Sequence, residues 1–201
     1  MKVTLPENIS EITLGQFQKL VALALREDLP EMELNKRKIE IFTKIPRRDI
    51  KNIAQSDYES ILKQIDTAMS TDVEFTNKFT MDGVEYGFIP NLDDITTAEY
   101  VDMAKFREEP DTLHNLMSIL FRPIVDKDVL GNYIIETYDG SNDVSEKMRG
   151  MPLHVVNGAL GFFYHLANEL QIHIQKSTRA AILKASAQRT TLKSGDGTQL
   201  S

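Results

Sequence analysis

The stretch Gly83-Val-Glu-Tyr-Gly-Phe-Ile-Pro-Asn-Leu-Asp-Asp-Ile-Thr-Thr-Ala-Glu-Tyr-Val-Asp-Met103 decides the fold. It reads as a strand, a turn gated by Pro90 and a capped helix in direct succession. Just upstream, Phe75, Asn77, Phe79 and Met81 alternate with Thr76, Lys78 and Thr80 before Asp82-Gly83, and Val84, Tyr86 and Phe88 resume the alternation. An Asp-Gly pair between alternating runs predicts a β-hairpin, because the two-residue turn needs positive φ at its centre. Thr96-Thr-Ala-Glu99 has the spacing of a capping box and opens a helix to about Arg107. Pro110-Asp111 breaks the chain, and Asp111 is placed to cap a helix from Thr112 to about Phe121. That helix belongs to an apolar run from Leu113 to Val125, interrupted by Phe121-Arg122-Pro123.

Everything before the hairpin reads as short helices. Thr13 and Gln16 form a capping box, followed by Phe17, Leu20, Val21, Ala24 and Leu25 on one helical face. Pro30 ends that helix, and a second runs from about Glu31 to Lys44. Pro46 suits the first turn of a short third helix. Ser56 and Glu59 repeat the capping-box spacing ahead of the stripe Tyr58, Ile61, Leu62, Ile65 and Met69.

After the central stretch, Asn132 to Tyr138 reads as a strand, and Asp139 to Asp143 as a turn before a short polar helix. Met151-Pro152 starts the longest helix, to about Lys176. Val155, Val156, Ala159, Leu160, Phe162, Phe163, Leu166, Ala167, Leu170 and Ile172 make it apolar well beyond one stripe. Such a helix is central to a fold or to an interface. Gly158 and Gly161 allow a close contact there. The expected fold is mostly α with a small β-hairpin, an α+β class, in a single domain over 1–184. Its parts are a helical unit at 1–72, the hairpin at 73–90, and a helical part with one short strand at 91–184. Residues 185–201 read as a flexible polar tail with a basic excess.

With 201 residues, 41% hydrophobic and 26% charged, the chain has the composition of a globular domain. The net charge of −7 argues against a general nucleic-acid binder. From Lys176 onward five basic residues face Asp196, so the tail carries about +4 and the body about −11. That separation fits a tail docking on a neighbouring subunit as well as a solvated tail. Without cysteine there is no disulfide framework and no thiolate metal site. No stretch approaches the ~18 apolar residues of a membrane span, and the first residues lack the apolar core of a signal peptide.

Candidate chemistry is sparse. His114, His154, His165 and His173 show no metal-ligand spacing and read as packing or surface residues. Asp93-Asp94 sits where acids favour a helix start. Asp139-x-Ser141-x-Asp143 opens like a calcium loop but has Val144 and Gly150 where glycine and glutamate are needed. Nucleophile elbows and phosphate-binding glycine loops are missing from the sequence. Arg122, at the end of an apolar helix, suits the helix C-terminus and fits either an internal ion pair or an interface.

Four segments carry a family resemblance. They are Gly83 to Tyr100, Leu116-Met-Ser-Ile-Leu-Phe-Arg-Pro-Ile124, Tyr133-Ile-Ile-Glu-Thr-Tyr-Asp-Gly140 and Gly158-Ala-Leu-Gly-Phe-Phe-Tyr164. Over roughly residues 80–170 the chain resembles proteins from the morphogenesis genes of tailed bacteriophages, including phages of the crAss-like type. The resemblance implies a virion component of the head–tail or tail region, or a tail-assembly chaperone absent from the finished particle. It supplies no active-site residues.

The expectation is therefore a non-enzymatic structural protein without cofactor or metal. It would bind other phage structural proteins and its own copies, in the virion or the host cytoplasm. It would take no part in membrane binding or in sequence-specific nucleic-acid binding. The expected contact residues are Arg122, the aromatic triplet Phe162, Phe163 and Tyr164, and the basic residues Arg179, Lys184 and Arg189.

Overall fold

At Asp82 and Gly83 the backbone takes φ of 51° and 78°, and the two strands around them pair with Met81 opposite Val84. Two consecutive positive φ values match the right-handed twist of the flanking strands. The computed structural model describes residues 4–140, 142–166, 168, 169, 176 and 179. It separates into two units, Met1–Ala159 and Leu160–Ser201.

The first unit is mostly helical with a four-stranded antiparallel sheet in the order β1-β2-β3-β4. The strands are β1 (Lys78–Met81), β2 (Val84–Phe88), β3 (Phe121–Lys127) and β4 (Tyr133–Ile135). The helices are α1 (Leu14–Ala24), α2 (Glu31–Thr43), α3 (Arg47–Ile50), α4 (Gln55–Met69), α5 (Thr97–Phe106), α6 (Leu113–Leu120) and α7 (Asn142–Lys147). Residues 153–159 are helical and close this unit.

One sheet face is aromatic. Phe79 stacks on its cross-strand partner Tyr86 at 5.2 Å, and Phe121 meets Phe79 and Phe88 edge-on at 5.4 and 5.2 Å. Phe121 is wholly buried, and burying such a ring stabilises by about 1.5–3 kcal/mol. On the other face, across from Arg122, Gly87 leaves room for the Tyr133 ring, which a Cβ at residue 87 would meet at 2.3 Å. Tyr133 then donates from its hydroxyl to the Phe88 carbonyl at 2.8 Å.

α6 passes into β3 without a connecting residue, and the Leu120 carbonyl accepts from the Ile89 N–H at 2.9 Å. This corrects the expectation that Arg122 ends a helix: the helix stops at Leu120 and Arg122 lies in a strand. In an uninterrupted apolar run, periodicity does not separate a buried helix from a buried strand.

The capping boxes at Thr13/Gln16 and Thr96/Glu99 form as expected. The one at Ser56/Glu59 does not. α4 starts two residues earlier with Ala54 as its uncapped N-cap, and the Glu59 carboxylate accepts from the Gln55 side chain instead. Nor does Asp111 cap α6. A 3-10 turn at Pro110–Thr112 precedes the helix, and the Thr112 hydroxyl donates to the carbonyls of Phe106 and Glu109.

The buried face of α1 is Leu14 and Gln18, whereas Ala24 and Leu25 of the expected stripe are exposed. Residues 151–159 lie deep in the unit, with Met151, Val155, Val156 and Ala159 wholly buried. Gly158 lies against backbone, since a Cβ there would stand 2.7 Å from the Glu74 carbonyl oxygen; Gly161 has nothing so near.

In the second unit residues 160–166, 168, 169, 176 and 179 are helical.

Candidate functional site

Three features have the make-up of a site: the buried Arg122 pair, a polar cluster on His114, and the exposed end of the β3–β4 hairpin. The first uses a single carboxylate twice. Glu99 Oε2 accepts from the Thr96 N–H and hydroxyl, both at 2.7 Å, and Oε1 accepts from Arg122 Nη2, also at 2.7 Å. Both side chains are buried. Burial pushes the Glu99 carboxyl up, but the Thr96 hydrogen bonds and the Arg122 charge outweigh it and hold the group below the usual value. Arg122 Nε is buried without a hydrogen-bond partner. Nearby, the Tyr138 hydroxyl donates to Asp102 at 2.8 Å, and burial followed by that carboxylate pushes the phenol up to about 12. Arg122 is thus engaged inside the fold.

The second feature gathers Gln18 of α1, His114 of α6, Glu146 of α7 and Arg149 of the following 3-10 turn. Gln18 Nε2 stands 2.9 and 3.0 Å from the carbonyls of Pro110 and Asp111 and 3.1 Å from His114 Nδ1. Its Oε1 accepts from Arg149 Nη1 at 2.9 Å. His114 Nε2 lies 3.1 Å from Arg149 Nη2 and 3.2 Å from a Glu146 oxygen. Burial first, and then the Arg149 charge, lower the His114 value, and Glu146 opposes them. An open groove of about 470 Å³ reaches the cluster along Gln18, Lys19, Asp111 and Arg149. Sequence reasoning placed His114 among packing or surface residues and did not see the cluster, whose members come from three separate segments.

The third feature is a built loop. The Asp128 carboxylate accepts from the N–H of Leu130 and Asn132 at 2.9 and 2.8 Å and from the Asn132 amide at 2.6 Å. The Asn132 amide, ahead of the backbone donors, holds the Asp128 carboxyl below its ordinary value. The loop so fixed presents Val129 and Leu130 at 102% and 85% exposure, and Val125 and Ile134 on its strands are exposed as well. The β-branched residues of 132–138 hinted at a strand here, but nothing in the sequence distinguished Val129-Leu130 from core residues.

The remaining expected contact residues lie in the second unit. Phe162 and Phe163 are half-buried and meet edge-on at 5.5 Å, while Tyr164 is exposed with its ring 6.0 Å from His165. Arg179 is exposed. Lys184, Arg189 and the tail 185–201 lie outside the described residues. Among the described residues no three His, Asp or Glu side chains group as a metal site, and no helix is long and apolar enough to cross a membrane. Comparison with protein-family models, with curated proteins and with solved structures finds no match.

Proposed function

We propose that this chain is a non-enzymatic structural component of a tailed-phage particle, acting through protein–protein contacts in a multi-subunit assembly. The observation that carries the reading is the tip of the β3–β4 hairpin. Two aliphatic side chains are fully presented to solvent on a loop that Asp128 has already ordered. Aliphatic surface displayed in this way marks an interaction site, and a pre-organised loop loses little entropy on docking. The phage assignment itself rests on the four resembling segments.

Two measurements test the two layers. Replacing Val129 and Leu130 by serine should leave the melting temperature unchanged and convert a sedimenting oligomer to monomer. An unchanged sedimentation profile would move the contact elsewhere. Mass spectrometry of purified particles should find the chain at stoichiometric copy number. Finding it in infected cells but missing from finished particles would replace the virion role with that of a tail-assembly chaperone.

A further inference from the structure

We propose that His114 is a proton-operated latch that fastens α1 to the α6–α7 side of its unit, closed when the imidazole is neutral and released when it is protonated. The geometry is the ground. His114 is 5% exposed and has a donor facing each ring nitrogen, Gln18 Nε2 at Nδ1 and Arg149 Nη2 at Nε2, both 3.1 Å away. A neutral imidazole always has one bare nitrogen that accepts from the donor it faces. An imidazolium has none, so the Gln18 contact becomes donor against donor and a second positive charge stands beside the guanidinium, with a Glu146 oxygen left to accept from Nε2–H.

Charges facing the ring come from two elements. Arg149 of the 3-10 turn opposes protonation, and Glu146 of α7 favours it. Gln18 on α1 and the Pro110 and Asp111 carbonyls beside it carry no charge, though the Asp111 backbone joins Glu146 in favouring protonation. Since Gln18 is the buried polar anchor of α1, losing the His114 contact leaves it held by Pro110, Asp111 and Arg149 alone and loosens that helix first. Proton access exists, because Glu146 is largely exposed and the groove along Gln18 and Arg149 opens to solvent.

The sign follows from burial. Folding lowers the His114 value below 6.5, so the unfolded or unlatched form binds more protons between that lowered value and 6.5. The latch is therefore complete above 6.5 and weakens as pH falls through this window. Each unit of lowering allows up to about a tenfold rise in opening.

The experiment is hydrogen exchange at α1 amides, corrected for intrinsic rates, from pH 7.5 to 5, with the His114 ring followed by NMR in the same protein. The expected result is a loss of α1 protection that tracks His114 titration, while α4 amides stay protected. His114→Gln, which keeps a neutral hydrogen-bonding group, should flatten the α1 response, and His154→Gln should not. If His114→Gln fails to fold, the wild-type comparison still decides. A His114 midpoint at or above 6.5, or α1 protection unchanged across its titration, overturns the latch.

Discussion

Glu99 shows how much one side chain can be asked to do. Its two oxygens divide the work, one completing the N-terminal cap of α5 and one neutralising a buried guanidinium. Glu99→Gln removes the charge and leaves Arg122 buried without a counter-ion, for which a loss of about 3–5 kcal/mol is expected by chemical denaturation. Glu99→Leu with Arg122→Met should cost far less, because no charge is then left inside; a double variant as unstable as the single one would show that the pair contributes more than mutual compensation. Because the Glu99 value is depressed in the fold, its contribution is complete above the ordinary carboxylate value and disappears as pH falls through the lowered one. Sequence reasoning identified Arg122 as a charge in need of a partner and Glu99 as part of a cap, but did not connect them. Capping is local chemistry, legible four residues at a time, whereas the ion pair exists only once β3 and α5 have packed.

At the scale of elements, the same division explains what was legible. The hairpin turn, the bounds of α2 and two capping boxes follow from neighbours in sequence, and the structure has them. The prediction here is for Gly83→Val, which forces a β-branched residue into φ of 78° and should cost about 1–2 kcal/mol in thermal denaturation. Full stability in that variant would mean that the turn relaxes without strain. α1 was misjudged because Gln18, a polar residue that belongs at the surface by type, finds its hydrogen bonds at Pro110, Asp111 and Arg149. No residue near Gln18 in the chain announces those partners, so the apolar stripe beside it looked like the better core face.

Across the molecule, the mostly helical class with a small sheet was legible, and the extent of the sheet was not. β3 was hidden in the run from Leu113, where helix and strand look alike until pairing with β2 is known. The exposed hairpin end was equally hidden, since Val129-Leu130 has the composition of a buried pair and only the Asp128 loop turns it outward. The direct passage from α6 into β3 bears on which changes in length the chain tolerates. With no loop to absorb it, a residue inserted after Leu120 moves β3 by one position against β2. Side chains alternate across a strand, so Phe121 would leave the aromatic face and Arg122 would be driven into it. Such an insertion should abolish cooperative melting. The same insertion after Asp28, in the exposed turn between α1 and α2, should be nearly silent. The junction at Leu120-Phe121 is thus a frame mark: natural variation in length is expected at turns such as Asp28 and excluded between this helix and its strand.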